Sequence, residues 1–412
     1  MISPISFYAF FDGIFEKNIF FVIFLSRWCE MKKFFLFFWI TVLLFPFSVS
    51  ADENLAANAK SALLIENSTG KVLFEKNANE KVAIASLTKM MSQIIILENI
   101  ESGNLSWDEI VKVSANAAGY GGTQIYLQPG EEMSVRDLFK GVSMASANDA
   151  VVALAERIAG TEADFVKMMM EKAKDLGLKN TNFVNPTGLD EEGHYSTASD
   201  LAVIARELLK HEEILEFSSL YEDYLRVDTP NKFWLVNTNK LVRFYEGADG
   251  LKTGFTDAAK YCMTVTARRN NMRLIAIVLG EEVSKIRNSE TTALLDYGFN
   301  LYKVNLVKEK NEVVDKIKIE KSNLSEVEIV TENEISILSK KSEESKKYTE
   351  KIILNDIKLP IQKGTVVGKL QLLDASSLVG EYNLIVNQDI SKKNFFALFF
   401  DNFKDIIIGV FK

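Results

Sequence analysis

The chain has 412 residues, 47% of them hydrophobic and 25% charged, which is enough for two domains with proper cores. A formal net charge of -8 argues against nucleic acid as the main partner, because phosphate binding needs a basic face. The two histidines, His194 and His211, and the two cysteines, Cys29 and Cys262, are scattered, so neither a metal centre nor another cofactor is expected.

From Met31 the chain reads "MKKFFLFFWITVLLFPFSVSADENLAAN": two lysines, an apolar run, the helix-breaking Pro46, then small residues up to Ala51. That is the layout of a secretory signal peptide cut after Ala51. In residues 1–30, Asp12 and Glu16 interrupt the apolar run, so this stretch fits no signal n-region and reads as an upstream in-frame extension of a start at Met31. The rival reading is a longer membrane-embedded leader. Either places the bulk of the protein outside the cytoplasm. After cleavage Cys262 would be the lone cysteine, excluding an internal disulfide, and within "YCMTVTA" it reads as a buried strand residue.

Downstream, "SALLIENSTGKVLFEKN" predicts two short strands around an Asn-Ser-Thr-Gly turn. Helical periodicity then dominates from Ser86 to about Arg206, in "SLTKMMSQIIILENI", "SVRDLFKGVSMAS", "NDAVVALAERIAG", "EADFVKMMMEKAKDLGL" and "TASDLAVIARELLK". Strands return in "GLKTGFT", "YCMTVTARR" and "RLIAIVLG", followed by a helix in "NSETTALLDYGFNLYK". Strands on both sides of a helical middle predict an α+β domain over 52–304: one antiparallel sheet built from both ends, with a helical lobe inserted. Alternating Val, Ile, Lys and Glu after Val304 predict a small all-β domain over 305–388. The charge run "SKKSEESKKYTEK" within it reads as a solvated loop or edge rather than a binding site. Residues 389–412 read as an amphipathic helix. Asn394, Asp401, Asp405 and Lys412 would share one narrow stripe between Phe395, Phe396, Phe399, Phe403, Ile406 and Ile407, which suits a helix lying in a membrane interface.

Ser86-Leu-Thr-Lys89 stands where a helix begins, so the two polar side chains would share a face. A serine becomes a nucleophile when a neighbouring base takes its proton, and a buried lysine beside a second cation can be that base. Alone, the pattern is weak: a helix-start serine is usually a cap, and Ser68-Thr-Gly-Lys71 has the same letters in a turn. Two further elements follow in order. "MASANDAVV" places Ser146 and Asn148 at a break between helices, and "GLKTGFT" places Lys252, Thr253 and Gly254 on a strand. Ser114-Ala-Asn116 also fits the second pattern. Ser146 is preferred because it opens a new helix, whereas Ser114 leads into the Gly-rich "AAGYGG".

Serine with lysine, then Ser-x-Asn, then Lys-Thr-Gly is the signature set of penicillin-binding proteins and serine β-lactamases. With "GGTQIYLQPGEEMSVRDLFKGVSMASANDA", "NFVNPTGLDEEGHYSTASDLA" and "GADGLKTGFTDAAKYCMTVTA", the chain resembles the low-molecular-mass penicillin-binding proteins, serine-type D-Ala-D-Ala carboxypeptidases, over nearly all of residues 55–300. Ala147, where many relatives carry glycine, and Lys260 are departures that touch no catalytic side chain. The resemblance implies a β-lactamase/transpeptidase-like catalytic fold and peptidoglycan stem peptides as substrate, with β-lactams as covalent inhibitors. It implies that Ser86 is the acylated nucleophile and Lys89 the proton acceptor, that Ser146 relays the proton to the departing D-Ala, and that Asn148 holds Lys89 and the substrate amide. Lys252 and Thr253 would bind the terminal carboxylate, Gly254 would let substrate approach the strand, and the backbone N–H groups of Ser86 and Phe255 would form the oxyanion hole. Asn185-Pro-Thr-Gly reads as a turn and His194 as loop packing. The alternatives are a D,D-endopeptidase on cross-bridges using the same residues, a serine β-lactamase, or a non-enzymatic wall-binding protein. No Glu-x-x-Leu-Asn lies between Asn148 and Lys252 to support the β-lactamase, and the intact Ser86, Lys89 and Lys252 speak against the wall-binding protein.

Overall fold

The computed structural model describes residues 55–344 and 346–394. The signal-peptide and upstream-extension expectations, and residues 395–412 of the expected terminal helix, lie outside the described residues. Two N-terminal strands, β1 (Ser61–Glu66) and β2 (Val72–Lys76), form the hairpin expected around Asn67-Ser68-Thr69-Gly70. Ser68 is held in that turn by Glu66, whose carboxylate accepts from the Ser68 hydroxyl at 2.9 Å. The chain then enters the helical lobe: α1 (Lys89–Glu101), the ribbon β3 (Ile110–Lys112) and β4 (Glu132–Ser134), α2 (Ala115–Ala118), α3 (Val135–Lys140), α4 (Asn148–Ala159), α5 (Glu162–Asp175), α6 (Ala198–Leu208) and α7 (Ile214–Ser218). The hairpin β5 (Glu222–Leu225) and β6 (Phe233–Val236), absent from the sequence-based expectations, and α8 (Leu241–Phe244) close the lobe.

The chain returns to the first sheet through β7 (Ala248–Thr256), β8 (Lys260–Arg269) and β9 (Met272–Glu281), giving the antiparallel order β2-β1-β9-β8-β7 with β7 on an edge. Both faces of this sheet are covered, which explains its unbroken apolar runs. Leu63, Ile65, Ile275, Ile277 and Leu279 face the lobe, where they join α1 residues such as Met90, Met91 and Ile94. Their neighbours Ala62, Leu64, Leu274, Ala276 and Val278 face Leu294, Leu295 and Phe299 of α9 (Ser284–Leu301). Cys262 lies on β8 fully buried, as expected, and burial pushes its thiol up to about 11.

At the expected junction the structure moves two boundaries. Strand β10 (Tyr302–Lys308) runs straight on from α9 and pairs with β13 (Ile335–Lys340), so the all-β region begins at 302 rather than 305. A five-stranded sheet of β11 (Val313–Ile317), β12 (Val327–Thr331), β16 (Ser377–Val386), β15 (Val366–Asp374) and β14 (Thr349–Leu354) completes it, over a core that includes Ile329, Leu370, Leu384 and Val386. At the other end, residues 389–394 are not helical. Ile390 bridges Ile361 and Lys392 bridges Ser322, because the buried Ile390 side chain belongs to that β core.

Candidate active site

Four stretches distant in sequence meet at the open edge of the first sheet. The first is a 3-10 turn, Ala85–Thr88, that leads into α1. Ser86 is half-buried on this turn and makes no capping hydrogen bond, so the ordinary cap role is not the one it plays. Lys89, one turn on, is fully buried and donates from Nζ to Ser86 Oγ at 2.9 Å and to the Thr187 carbonyl at 2.7 Å. Burial holds the Lys89 ammonium well below the usual lysine range; the Lys252 charge lowers it further and Asp149 opposes the shift.

The second stretch is the junction between α3 and α4. After α3 the backbone widens into a π turn over Gly141–Ala145, a geometry often found at functional sites. Ser146 then takes a left-handed conformation, φ 67°, and Asn148 opens α4. Ser146 therefore ends one element rather than starting the next, in contrast to the sequence-based expectation. Its Oγ and the Asn148 Oδ1 are both buried without a hydrogen-bond partner among the described residues. Such groups cost about 1–3 kcal/mol each, so their presence points to a task other than stability. Asn148 does not hold Lys89 here: its Nδ2 donates to the Gly121 carbonyl at 2.7 Å. The competing Ser114 is an ordinary helix cap, accepting from Ala117 N, and Asn116 reaches Glu156 at the surface.

The third stretch is β7. Lys252 is buried, donates to the Thr253 carbonyl at 2.9 Å, and is pushed down to about 7 by burial and then by the Arg287 charge. Thr253 Oγ1 donates to Thr238 Oγ1 at 2.8 Å, and Thr238 N reaches the Met144 carbonyl of the π turn, tying the strand to the Ser146 junction. Gly254 faces the 3-10 turn that carries Ser86: a Cβ there would stand 3.0 Å from Ser86 N and 3.0 Å from Ala85 Cβ. Its lack of a side chain serves the approach of that turn. Phe255 is half-exposed and stacks on Tyr261 with ring centroids 4.4 Å apart.

The fourth stretch is the loop "NPTGLD". Asn185 Oδ1 accepts from Thr187 N, Thr187 Oγ1 and Gly188 N, which shapes the turn and aims the Thr187 carbonyl at Lys89. Asp190 fastens the loop to the end of β7, accepting from Thr256 Oγ1 at 2.6 Å. Among the described residues no group of three or more His, Cys, Asp or Glu side chains is placed to hold a metal ion.

A buried lysine on a serine hydroxyl, a second buried lysine on the facing edge strand and a Ser-x-Asn junction thus meet in one place. The family model described as D-alanyl-D-alanine carboxypeptidase matches residues 47–283, and that of the penicillin-binding protein 5 C-terminal domain matches 302–392. The chain belongs to the D-alanyl-D-alanine carboxypeptidase family. It is 47% identical to D-alanyl-D-alanine carboxypeptidase DacF of Bacillus subtilis, over 86% of this chain and 94% of that one. Penicillin-binding protein 5 of Haemophilus influenzae superposes with a TM-score of 0.66 at 29% identity, over 81% of this chain and 98% of its own. Penicillin-binding protein D2 of Listeria monocytogenes, solved in its ampicillin-bound form, superposes with a TM-score of 0.53 at 37% identity, over 59% of this chain and 98% of its own.

Within this family site, three participants escape a motif search. Thr187 acts through a carbonyl, which every residue possesses. The charge of Arg287, on α9 and 35 positions downstream, acts on Lys252. Gly188, read as a turn glycine, is also a contact: at φ 82°, its missing Cβ would lie 1.9 Å from the Ala85 carbonyl oxygen. Gly188→Ala must therefore force apart the loop and the Ala85–Thr88 turn while straining its own backbone. We expect it to cost roughly 2–5 kcal/mol in urea unfolding. A midpoint equal to that of the unaltered protein would show that the two segments can separate freely.

Proposed function

We propose that the protein is a serine D-Ala-D-Ala carboxypeptidase that removes the terminal D-alanine from peptidoglycan pentapeptide stems through an acyl-enzyme on Ser86. The observation that carries this reading is the 2.9 Å hydrogen bond between Ser86 Oγ and a fully buried Lys89 whose protonated form is disfavoured by burial and by Lys252. Neutral Lys89 takes the Ser86 proton as Oγ bonds to the carbonyl carbon between the two D-alanines. The carbonyl oxygen becomes an oxyanion, received by the backbone N–H groups of Ser86 and Phe255. As the C–N bond breaks, the proton passes from Lys89 through Ser146 to the departing amine, and D-alanine leaves. Water then hydrolyses the ester and restores Ser86. Asn148, with its free Oδ1, accepts from the substrate amide, while Lys252 and Thr253 hold the terminal carboxylate. A β-lactam presents a similar acyl bond and leaves a slowly hydrolysed ester.

The compartment and the anchor belong to the same proposal. The N-terminal stretch directs export, and the amphipathic segment beyond Asn394 lies in the outer face of the cytoplasmic membrane. Among the described residues no helix is long and apolar enough to cross a membrane.

Incubation with a muramyl pentapeptide is expected to release free D-alanine, and a fluorescent penicillin to label Ser86. Ser86→Ala should lose both. Label recovered on Ser68, or persisting in Ser86→Ala, would overturn the assignment.

The two lysines have a pH signature. Removing the Lys252 charge makes protonated Lys89 less unfavourable, so the Lys89 pKa rises and less of it is neutral at a given pH. In Lys252→Ala, the acid limb of the acylation rate at saturating β-lactam should therefore move to higher pH. An unmoved or downward-shifted limb would exclude Lys89 as the base it describes.

Because Ile390 and Lys392 are stitched to the β core, a truncation that tests the anchor should end after Asn394. That version is expected in the soluble fraction with penicillin binding intact. Continued membrane association after leader cleavage would place the anchor elsewhere.

A further inference from the structure

His194 is buried behind the nucleophile turn and has no part in the proton transfers described above. Its ring nitrogens are not equivalent. Val184 N donates to Nδ1 at 3.1 Å, so Nδ1 carries no proton and Nε2 must carry it. That Nε2–H points at Thr88 Oγ1, 2.7 Å away. With its lone pair so engaged, the Thr88 hydroxyl sends its own proton to the Ala85 carbonyl at 2.9 Å. The sequence is directional: Val184 N–H to His194, His194 to Thr88, Thr88 to Ala85 O. Burial pushes the imidazole down to about 4, which keeps the ring neutral and the direction fixed at neutral pH.

Ala85 needs this support. It sits at φ 47°, where a residue with a Cβ is uncommon, and such conformations persist when surrounding contacts over-determine them. The Ala85–Ser86 peptide is trans and planar, so its C=O and N–H point in opposite directions. The carbonyl end is gripped by Thr88 and backed by Gly188; the N–H end faces β7, where a Cβ on Gly254 would lie 3.0 Å from Ser86 N. Fixing the oxygen fixes the opposing N–H.

We propose that His194 is a positioning residue which, through the Thr88 hydroxyl, locks the Ala85–Ser86 peptide plane so that the Ser86 N–H is aimed as an oxyanion donor before substrate arrives. The inference rests on the proposed role of Ser86 as nucleophile. A donor held in place beforehand costs no reorganisation when charge develops on the substrate oxygen, whereas a peptide free to rock must be reoriented in the transition state.

The test uses the full chain and stopped-flow acylation by a fluorescent penicillin, with thermal melting alongside. Thr88→Val keeps the shape and removes both hydrogen bonds; Thr88→Ser keeps them; His194→Gln retains a donor at the Nε2 position. Thr88→Val and His194→Ala should each slow acylation at saturating penicillin by roughly 10- to 100-fold, less than the ~100- to 1,000-fold seen on outright loss of an oxyanion donor. Initial non-covalent binding should change by less than about threefold in both. Thr88→Ser should stay within about threefold of the unaltered rate, and His194→Gln should recover most of the loss in His194→Ala. Because His194 acts through Thr88, the double variant Thr88→Val/His194→Ala should be no slower than Thr88→Val alone. Unaltered acylation in Thr88→Val, multiplicative losses in the double variant, or variants that lower the melting temperature while the folded protein acylates normally would each overturn the proposal. If His194→Ala fails to fold, the comparison of Thr88→Val with Thr88→Ser decides. Absence of label on Ser86 in the unaltered protein would instead defeat the parent reading.

Discussion

The site depends on one constraint: a lysine sits in the protein core, where its protonated form is disfavoured. Desolvating an ammonium is costly, so a buried lysine favours the neutral form, and a nearby cation favours it further. Lys89 meets both conditions, being completely enclosed and within the field of Lys252. Lys252 is itself lowered by burial and by the Arg287 charge, to about 7, and its positive charge, where present, adds to the burial that disfavours the Lys89 ammonium. The layers of the domain follow from this requirement. A lobe thick enough to exclude water must cover α1, and the edge strand must bring the second cation against it.

Three junctions deliver the parts. The 3-10 turn presents Ser86 at the end of the most buried helix, with Ala85 strained and Gly254 and Gly188 giving it room on either side. The π turn after α3 swings Ser146 into a left-handed conformation that no regular helix would allow. The Asn185 turn supplies the carbonyl that shares Lys89 with Ser86. In each case backbone irregularity sits where chemistry is done and regular structure surrounds it. The domain accepts local strain there and offsets it with a sheet buried on both faces.

Much of this was legible in the sequence because it is carried by side-chain identity and periodicity. The strands on either side of a helical middle and the strand character of Cys262 follow from local patterns, and the choice among serines from the order of the motifs. Ser68 could be set aside as a turn residue and Ser114 because it leads into a Gly-rich loop, and Glu66 and Ala117 prove to be the partners that occupy them. What stayed hidden acts through backbone or through tertiary approach. The Thr187 carbonyl, the Gly188 and Gly254 clearances, and the His194–Thr88–Ala85 chain have no pattern within a window of sequence. The β10 and Ile390 boundaries were misplaced for a related reason: pairing partners such as β13 and Ile361 lie too far along the chain for local composition to reveal.

The start of α4 shows how closely stability and function are interleaved. Asp149 is saturated, accepting from Ile125 N, Leu127 N and Ala150 N, and so fixes the Gly121–Leu127 segment against the start of α4. Asn148, its neighbour, spends its amide on Gly121 of the same segment but leaves its oxygen buried and unpaired. Ser146, two residues earlier, has no partner for its hydroxyl among the described residues. Over four residues the chain passes from polar groups without partners to one fully committed to the scaffold. A buried unpaired group is tolerable only where its neighbours are rigid, since a mobile backbone would turn it toward any nearby partner. The bound Asp149 thus keeps the backbone around Ser146 and Asn148 in place, and the same carboxylate opposes the lowering of the Lys89 pKa that burial and Lys252 produce.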